Sequence, residues 1–96
     1  MMVIITYDVE TISPSGQRRL RRVSKECQNY GIRVQNSVFE CVVDPNQLLI
    51  LKHKLESIID KEHDSVRFYF MGNNWERHIE TMGASRGINV SSTLVI

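Results

Sequence analysis

Two groups of side chains in this sequence have the types and positions to do chemistry. The first is a single carboxylate, Asp8, which closes the apolar run Val3-Ile4-Ile5-Thr6-Tyr7. At the end of a strand, a carboxylate can face a cleft while its backbone is held rigid; it can equally just end the strand by accepting loop N–H groups. One carboxylate alone is a poor cation site, because Mg²⁺ (or Mn²⁺) takes one or two carboxylates with several waters. A two-fold axis would bring up a second Asp8, and the cation would offset their mutual repulsion. The second group is cationic: Arg18, Arg19, Arg21, Arg22 and Lys25 crowd one segment opposed only by Glu26, and Arg33 follows. These six are half of the 12 Lys and Arg residues in a chain of net charge +1. Such a run can be a plain solvated helix face. Arginine in preference to lysine points further, because its planar fork matches phosphate oxygens. Nothing here suggests base reading, so the expected binding follows duplex shape and charge and weakens with salt.

Other reactive residues form no set. His53, His63 and His78 show no metal-ligand spacing with Cys or carboxylates and read as surface residues. Ser37 has no histidine near it in sequence. Gly83 and Gly87 flank Ser85-Arg86 in what reads as a loop, without the Lys-Ser/Thr that follows a phosphate cradle. Trp75 reads as packing. Cys27 and Cys41 are too few for a disulfide scaffold and too isolated for zinc, so they read as reduced and buried.

The elements that must position these residues are legible. Val3–Tyr7 suits a central strand. Ser13-Pro14 predicts a helix start, with Leu20, Val23, Cys27 and Tyr30 as its apolar stripe and Gly31 as a left-handed cap. Val34–Val43 is strand-like, divided by a bend at Gln35-Asn36. Asp44-Pro45 opens a second helix with Gln47 completing a capping box; its stripe is Leu48, Leu51, Leu55, Ile58 and Ile59. Val66–Met71 is the next strand. The order β-α-β-β-α-β predicts an α+β, ferredoxin-like sandwich with both helices on one face of an antiparallel sheet. Residues 1–72 would form its core within a single domain. Residues 73–96 would be an extension whose apolar end, Thr93–Ile96, docks as an edge strand on its own or a partner's sheet. With 96 residues the core is thin, and the second sheet face is too rich in Val, Ile and Phe to stay wet. A two-fold dimer through that face is expected. The apolar opening run lacks the flanks of a signal peptide and no stretch is long enough to span a membrane, so the expected location is cytoplasmic.

Taken together, Tyr7-Asp8-Val9, Arg18-Arg19-Leu20-Arg21-Arg22-Val23 and the run Tyr30–Glu40 resemble the CRISPR-associated protein two family. Val34-Gln35-Asn36-Ser37-Val38-Phe39-Glu40 is the most specific part. The resemblance implies a homodimer with exchanged C-terminal segments, working in spacer acquisition with the family's integrase partner, CRISPR-associated protein one, on double-stranded DNA. It also implies metal-dependent endonuclease activity on RNA or duplex DNA; a purely structural DNA-binding scaffold is the alternative. By resemblance Asp8 is the Mg²⁺ or Mn²⁺ ligand with Tyr7 beside it, Arg18 or Arg19 is the helix arginine, and Arg33 and Ser37 form the second motif. Phe39 matches an aromatic near the dimer centre, with core packing the competing role.

Overall fold

The computed structural model describes residues 1–72 and 78–84. The elements run β1 (Met2–Asp8), α1 (Pro14–Gln28), β2 (Gly31–Gln35), β3 (Val38–Val42), α2 (Pro45–Ile58), β4 (Ser65–Met71) and β5 (His78–Gly83). The five strands form one sheet in the order β2-β3-β1-β4-β5, every neighbouring pair antiparallel. This is the expected ferredoxin-like α+β sandwich, with β5 added beyond β4. The expected docking of Thr93–Ile96 lies outside the described residues, as do Trp75 and Gly87. Among the described residues, no helix is long and apolar enough to cross a membrane.

Local chemistry explains the helix ends. Ser13 accepts a hydrogen bond from Gly16 N at 3.1 Å and Pro14 takes the first turn of α1, where a missing N–H costs nothing. At α2, Asp44 and Gln47 form the reciprocal capping box: Gln47 N donates to Asp44 Oδ1 at 2.8 Å, and Asp44 N donates to Gln47 Oε1 at 3.0 Å. One end differs from expectation. Gly31 is not a left-handed cap: α1 ends at Asn29 with φ −67°, and Gly31 already begins β2. Glycine is needed there because β3 comes so close that a Cβ would lie 2.1 Å from Glu40 O.

The alternation of β1 divides the sheet into two faces. Val3, Ile5 and Tyr7 point into the core with Phe39, Cys41, Val66 and Phe68 and meet Val23 and Cys27 of α1 and Leu51 and Leu55 of α2. Cys27 and Cys41 are free and buried as expected; burial pushes their thiols up to about 12 and about 11, so neither is a nucleophile near neutral pH. Among the described residues, no helix covers the opposite face. Strand register arranges it in transverse rows: Val42-Met2-Met71, then Ile32-Glu40-Ile4-Tyr69-Ile79, then Val38-Thr6-Arg67-Thr81, then Asp8-Ser65-Gly83. It is apolar at one end and polar at the other. Val42 is 68 % and Ile32 is 73 % exposed on this face.

Candidate metal and nucleic-acid site

Asp8 is the last residue of β1 and is exposed on the open sheet face. Its neighbour Tyr7 points the other way. The phenol is 4 % exposed, shares a 2.7 Å hydrogen bond with Ser24 Oγ of α1 and donates to Asn36 O at 3.3 Å. Its ring stacks on Phe39, with centroids 6.1 Å apart. The sheet therefore separates these two adjacent residues. Tyr7 bolts the end of β1 to α1 and the β2–β3 turn, and only Asp8 offers a functional group to the open face. Ser37 O accepts Tyr7 N at 3.1 Å, so the Asn36-Ser37 turn abuts the base of the site through backbone.

The loop after Asp8 is held by a buried ion pair that sequence reasoning did not find. Asp64 is 0 % exposed. Its carboxylate accepts Arg19 Nε at 2.7 Å, Arg19 Nη2 at 3.3 Å, Glu10 N at 3.0 Å and Asp60 N at 2.8 Å. Burial alone would raise the Asp64 carboxyl; the Arg19 guanidinium and the two backbone N–H groups outweigh it and hold the group below the usual carboxylate range. Glu10 extends the clamp by accepting Ser13 N at 2.9 Å and Ser13 Oγ at 3.1 Å. These bonds, chiefly that from Ser13 N, keep the Glu10 carboxyl low. Gly16 is forced by the same packing, since a Cβ would lie 1.8 Å from Glu10 O. A run such as His63-Asp64-Ser65 carries no sign that its aspartate is the buried one.

This clamp divides the helix-one arginines. Arg19 has its fork engaged with Asp64, donates Nη1 to Ser15 Oγ at 3.2 Å and lies 3.7 Å from Glu10 Oε2. It is tied into the frame, and Arg18 is the exposed residue of the pair. Glu26 lies on the Arg19 flank of α1 and faces Lys54 of α2 at 3.6 Å. Arg18, Arg21, Arg22 and Lys25 make no ion pair among the described residues, and their spacings of three and four put them along one exposed stripe. That stripe lies on the helix layer, on the opposite side of the sheet from Asp8. Arg33 stands on the helix side of β2 with its guanidinium carbon 5.4 Å from the Phe39 ring centre. Phe39 itself is 0 % exposed. Its ring is closed in by its own protomer, as the core-packing role has it.

Two further positions were missed. Arg67 shares the open face with Asp8, one residue pair away on β4; its place in an otherwise apolar strand gave the face no signal. Asp60, Glu62 and His63 bring possible ligand atoms within 4.8 Å of one another on the α2–β4 loop, a grouping that the spacing of the histidines in the sequence did not suggest. His63 Nδ1 lies 3.0 Å from Asp60 Oδ2; that bond raises the imidazole's pKa and lowers the carboxyl's.

Asp8 supplies one hard oxygen donor at the polar end of the open face, which fits a divalent cation as part of a larger ligand set; the apolar rows lie toward the other end.

Comparison with known proteins agrees with this architecture. Residues 1–79 match the family model of CRISPR associated protein Cas2. The chain is 55 % identical over 95 residues to a protein of Halalkalibacterium halodurans named CRISPR-associated endonuclease Cas2, covering 99 % of each chain. It is 53 % identical over 96 residues to one of Nitratidesulfovibrio vulgaris named CRISPR-associated endoribonuclease Cas2, covering 100 % of this chain and 94 % of that one. Among solved structures, Streptococcus pyogenes Cas2 at pH 6.5 superposes with a TM-score of 0.72 at 57 % identity, covering 78 % of this chain and 90 % of that one.

Proposed function

Since this chain belongs to the Cas2 family of CRISPR-associated proteins, we propose that it works as a homodimer that binds duplex DNA along its arginine stripes and holds a divalent cation between two Asp8 carboxylates. The observation that carries this reading is the sheet face opposite the helices, apolar at one end and polar at the end that holds Asp8. Packing two such faces together buries Val42, Met2, Met71 and Ile4 and brings the Asp8 ends toward a common axis. It leaves both α1 helices on the outside, where Arg18 and Arg22 of the two copies form a pair of cationic rails. In spacer acquisition those rails would hold a DNA fragment for the integrase partner, CRISPR-associated protein one.

Mg²⁺ or Mn²⁺ at the Asp8 pair would supply Lewis-acid polarisation of a phosphodiester. The chain's own contribution is positional. Tyr7, pinned by Ser24 and Asn36, fixes the end of β1, and the Arg19-Asp64-Glu10 clamp fixes the loop that follows. Ser37 and Arg33 lie on the helix side of this strand end and offer a hydroxyl and a cation to an approaching backbone. The names of the relatives support endonuclease activity on RNA or DNA as the reaction.

One observation favours a second reading, a scaffold without turnover: the arginine stripe and Asp8 lie on opposite sides of the sheet. Asp8→Asn separates the two. Under the first reading it abolishes metal-dependent cleavage while secondary structure and dimer mass are unchanged. Undiminished cleavage by the purified variant refutes the metal site, and normal spacer acquisition by a cleavage-dead variant establishes the scaffold.

A further inference from the structure

The two flanks of α1 differ in charge. On one, Arg19 and Glu26 are neutralised by Asp64 and Lys54. On the other, Arg21 and Lys25 overlook an open cleft of about 660 Å³ between α1 and the β2–β3 turn, whose far wall carries Arg33. No carboxylate lines this cleft, and none of its three cations makes an ion pair among the described residues. Its remaining polar wall is Gln28 from the helix and Asn36 and Ser37 from the turn, with Leu20 as the apolar patch. The floor is fixed, because Ser24 is 8 % exposed and its Oγ is held by Tyr7.

From this arrangement we infer that the cleft binds one unpaired nucleotide, its phosphates taken by Arg21, Lys25 and Arg33. Cavities of about 300–1,000 Å³ suit ligands of that size. The chemistry matches part by part. Three cations without a counter-carboxylate require an anion. Leu20 gives a sugar or base an apolar surface, and the amides of Gln28 and Asn36 each offer a donor and an acceptor to a base edge. An unpaired base can turn its Watson–Crick edge to these amides, whereas in a duplex that edge is taken up by pairing. The cleft therefore admits a single strand, or a strand end, and gives this chain a base-contacting element beyond the shape-driven binding expected from its arginines. The inference deepens the nucleic-acid reading above and divides the exposed stripe of α1 between its two edges: Arg18 and Arg22, away from the cleft, serve the duplex, and Arg21 and Lys25, which line it, serve the unpaired nucleotide.

The experiment uses the full chain, ¹⁵N-labelled, titrated in low salt with adenosine 5′-monophosphate, a short single-stranded oligonucleotide and a duplex of the same length. Amide shifts concentrated at Ser24, Gln28, Asn36 and Ser37 with the first two ligands are expected. Equal affinity for mononucleotide and strand identifies a free nucleotide as the natural occupant, and tighter strand binding identifies a polymer; both support the site. Arg21→Glu with Lys25→Glu, two exposed positions, should lower single-strand affinity at least about tenfold and reduce its salt slope by about 1.4, at about 0.7 per phosphate contact, with a smaller loss for duplex. Gln28→Ala should narrow the spread of affinities among strands of different base and leave the slope unchanged. Shifts confined to the Arg18–Arg22 stripe, or equal losses for strand and duplex in the double variant, overturn the inference. Failure of the reading above would show instead as unchanged duplex binding in Arg18 and Arg22 variants.

Discussion

Replacing Asp64 by asparagine tests the frame behind the site. The carboxylate is 0 % exposed and accepts four hydrogen bonds, two from Arg19 and one each from the backbone of Glu10 and Asp60. An asparagine keeps the shape and one acceptor oxygen but turns an NH₂ toward groups that are all donors. About two of the bonds are lost and a buried pair is broken. A hydrogen bond to a charged group contributes about 1.5–3 kcal/mol, and Arg19 recovers part of the loss by turning to Glu10 and solvent. The net cost is therefore about 3 kcal/mol, at the lower edge of what breaking a buried ion pair costs. In a domain this small each kcal/mol moves Tm by about 4–8 °C, giving a fall of about 12–24 °C at neutral pH. Protein concentration is held fixed, because dimerisation would couple to unfolding. The pH dependence has a definite sign. The Asp64 carboxyl is lowered on folding, so its contribution is complete above the unfolded value near about 3.9 and is lost as pH falls through the folded one. The gap between wild type and variant should be widest near neutrality and close under acid. Arg19→Met should cost less in the variant than in the wild type, because its partner carboxylate is already gone. A Tm shift under about 4 °C at neutral pH, well below the range derived from these bonds, or a gap that persists under acid, would refute the clamp.

Other perturbations probe other parts. Arg18→Ala with Arg22→Ala should reduce the salt slope of duplex binding by about 1.8, at about 0.9 per phosphate; a filter-binding series over salt checks it, and an unchanged slope puts the rails elsewhere. Val42→Asp places a charge in the apolar rows of the open face, and sedimentation should show a monomer with unchanged helix content. Gly83→Ala should destabilise by about 1–3 kcal/mol, because φ is +88° and a Cβ would lie 2.2 Å from Asp64 O; thermal melts measure it.

Much of this protein was determined locally and so could be read from the chain. Ser13-Pro14 and Asp44-Pro45 cap their helices through groups within three residues. The stripe from Leu48 to Ile59 is wholly buried because helical periodicity puts it there, and a turn at Asn36-Ser37, one residue on from the expected bend, separates β2 from β3. The strand-end carboxylate, the open apolar face and the cationic helix were equally legible, being matters of residue type and period. Tertiary structure decided what depends on pairing across the chain. Arg18 and Arg19 are equivalent as text, yet Arg19 faces a buried aspartate 45 residues away and Arg18 does not. Gly31 looks like a helix cap and is a point where two strands nearly touch. Phe39 and Tyr7 fall inside because strand parity, fixed by register with β1 and β3, turns them toward the helices. Local spacing sets which face a residue shares with its neighbours; only the packed sheet sets which of those faces is the inside.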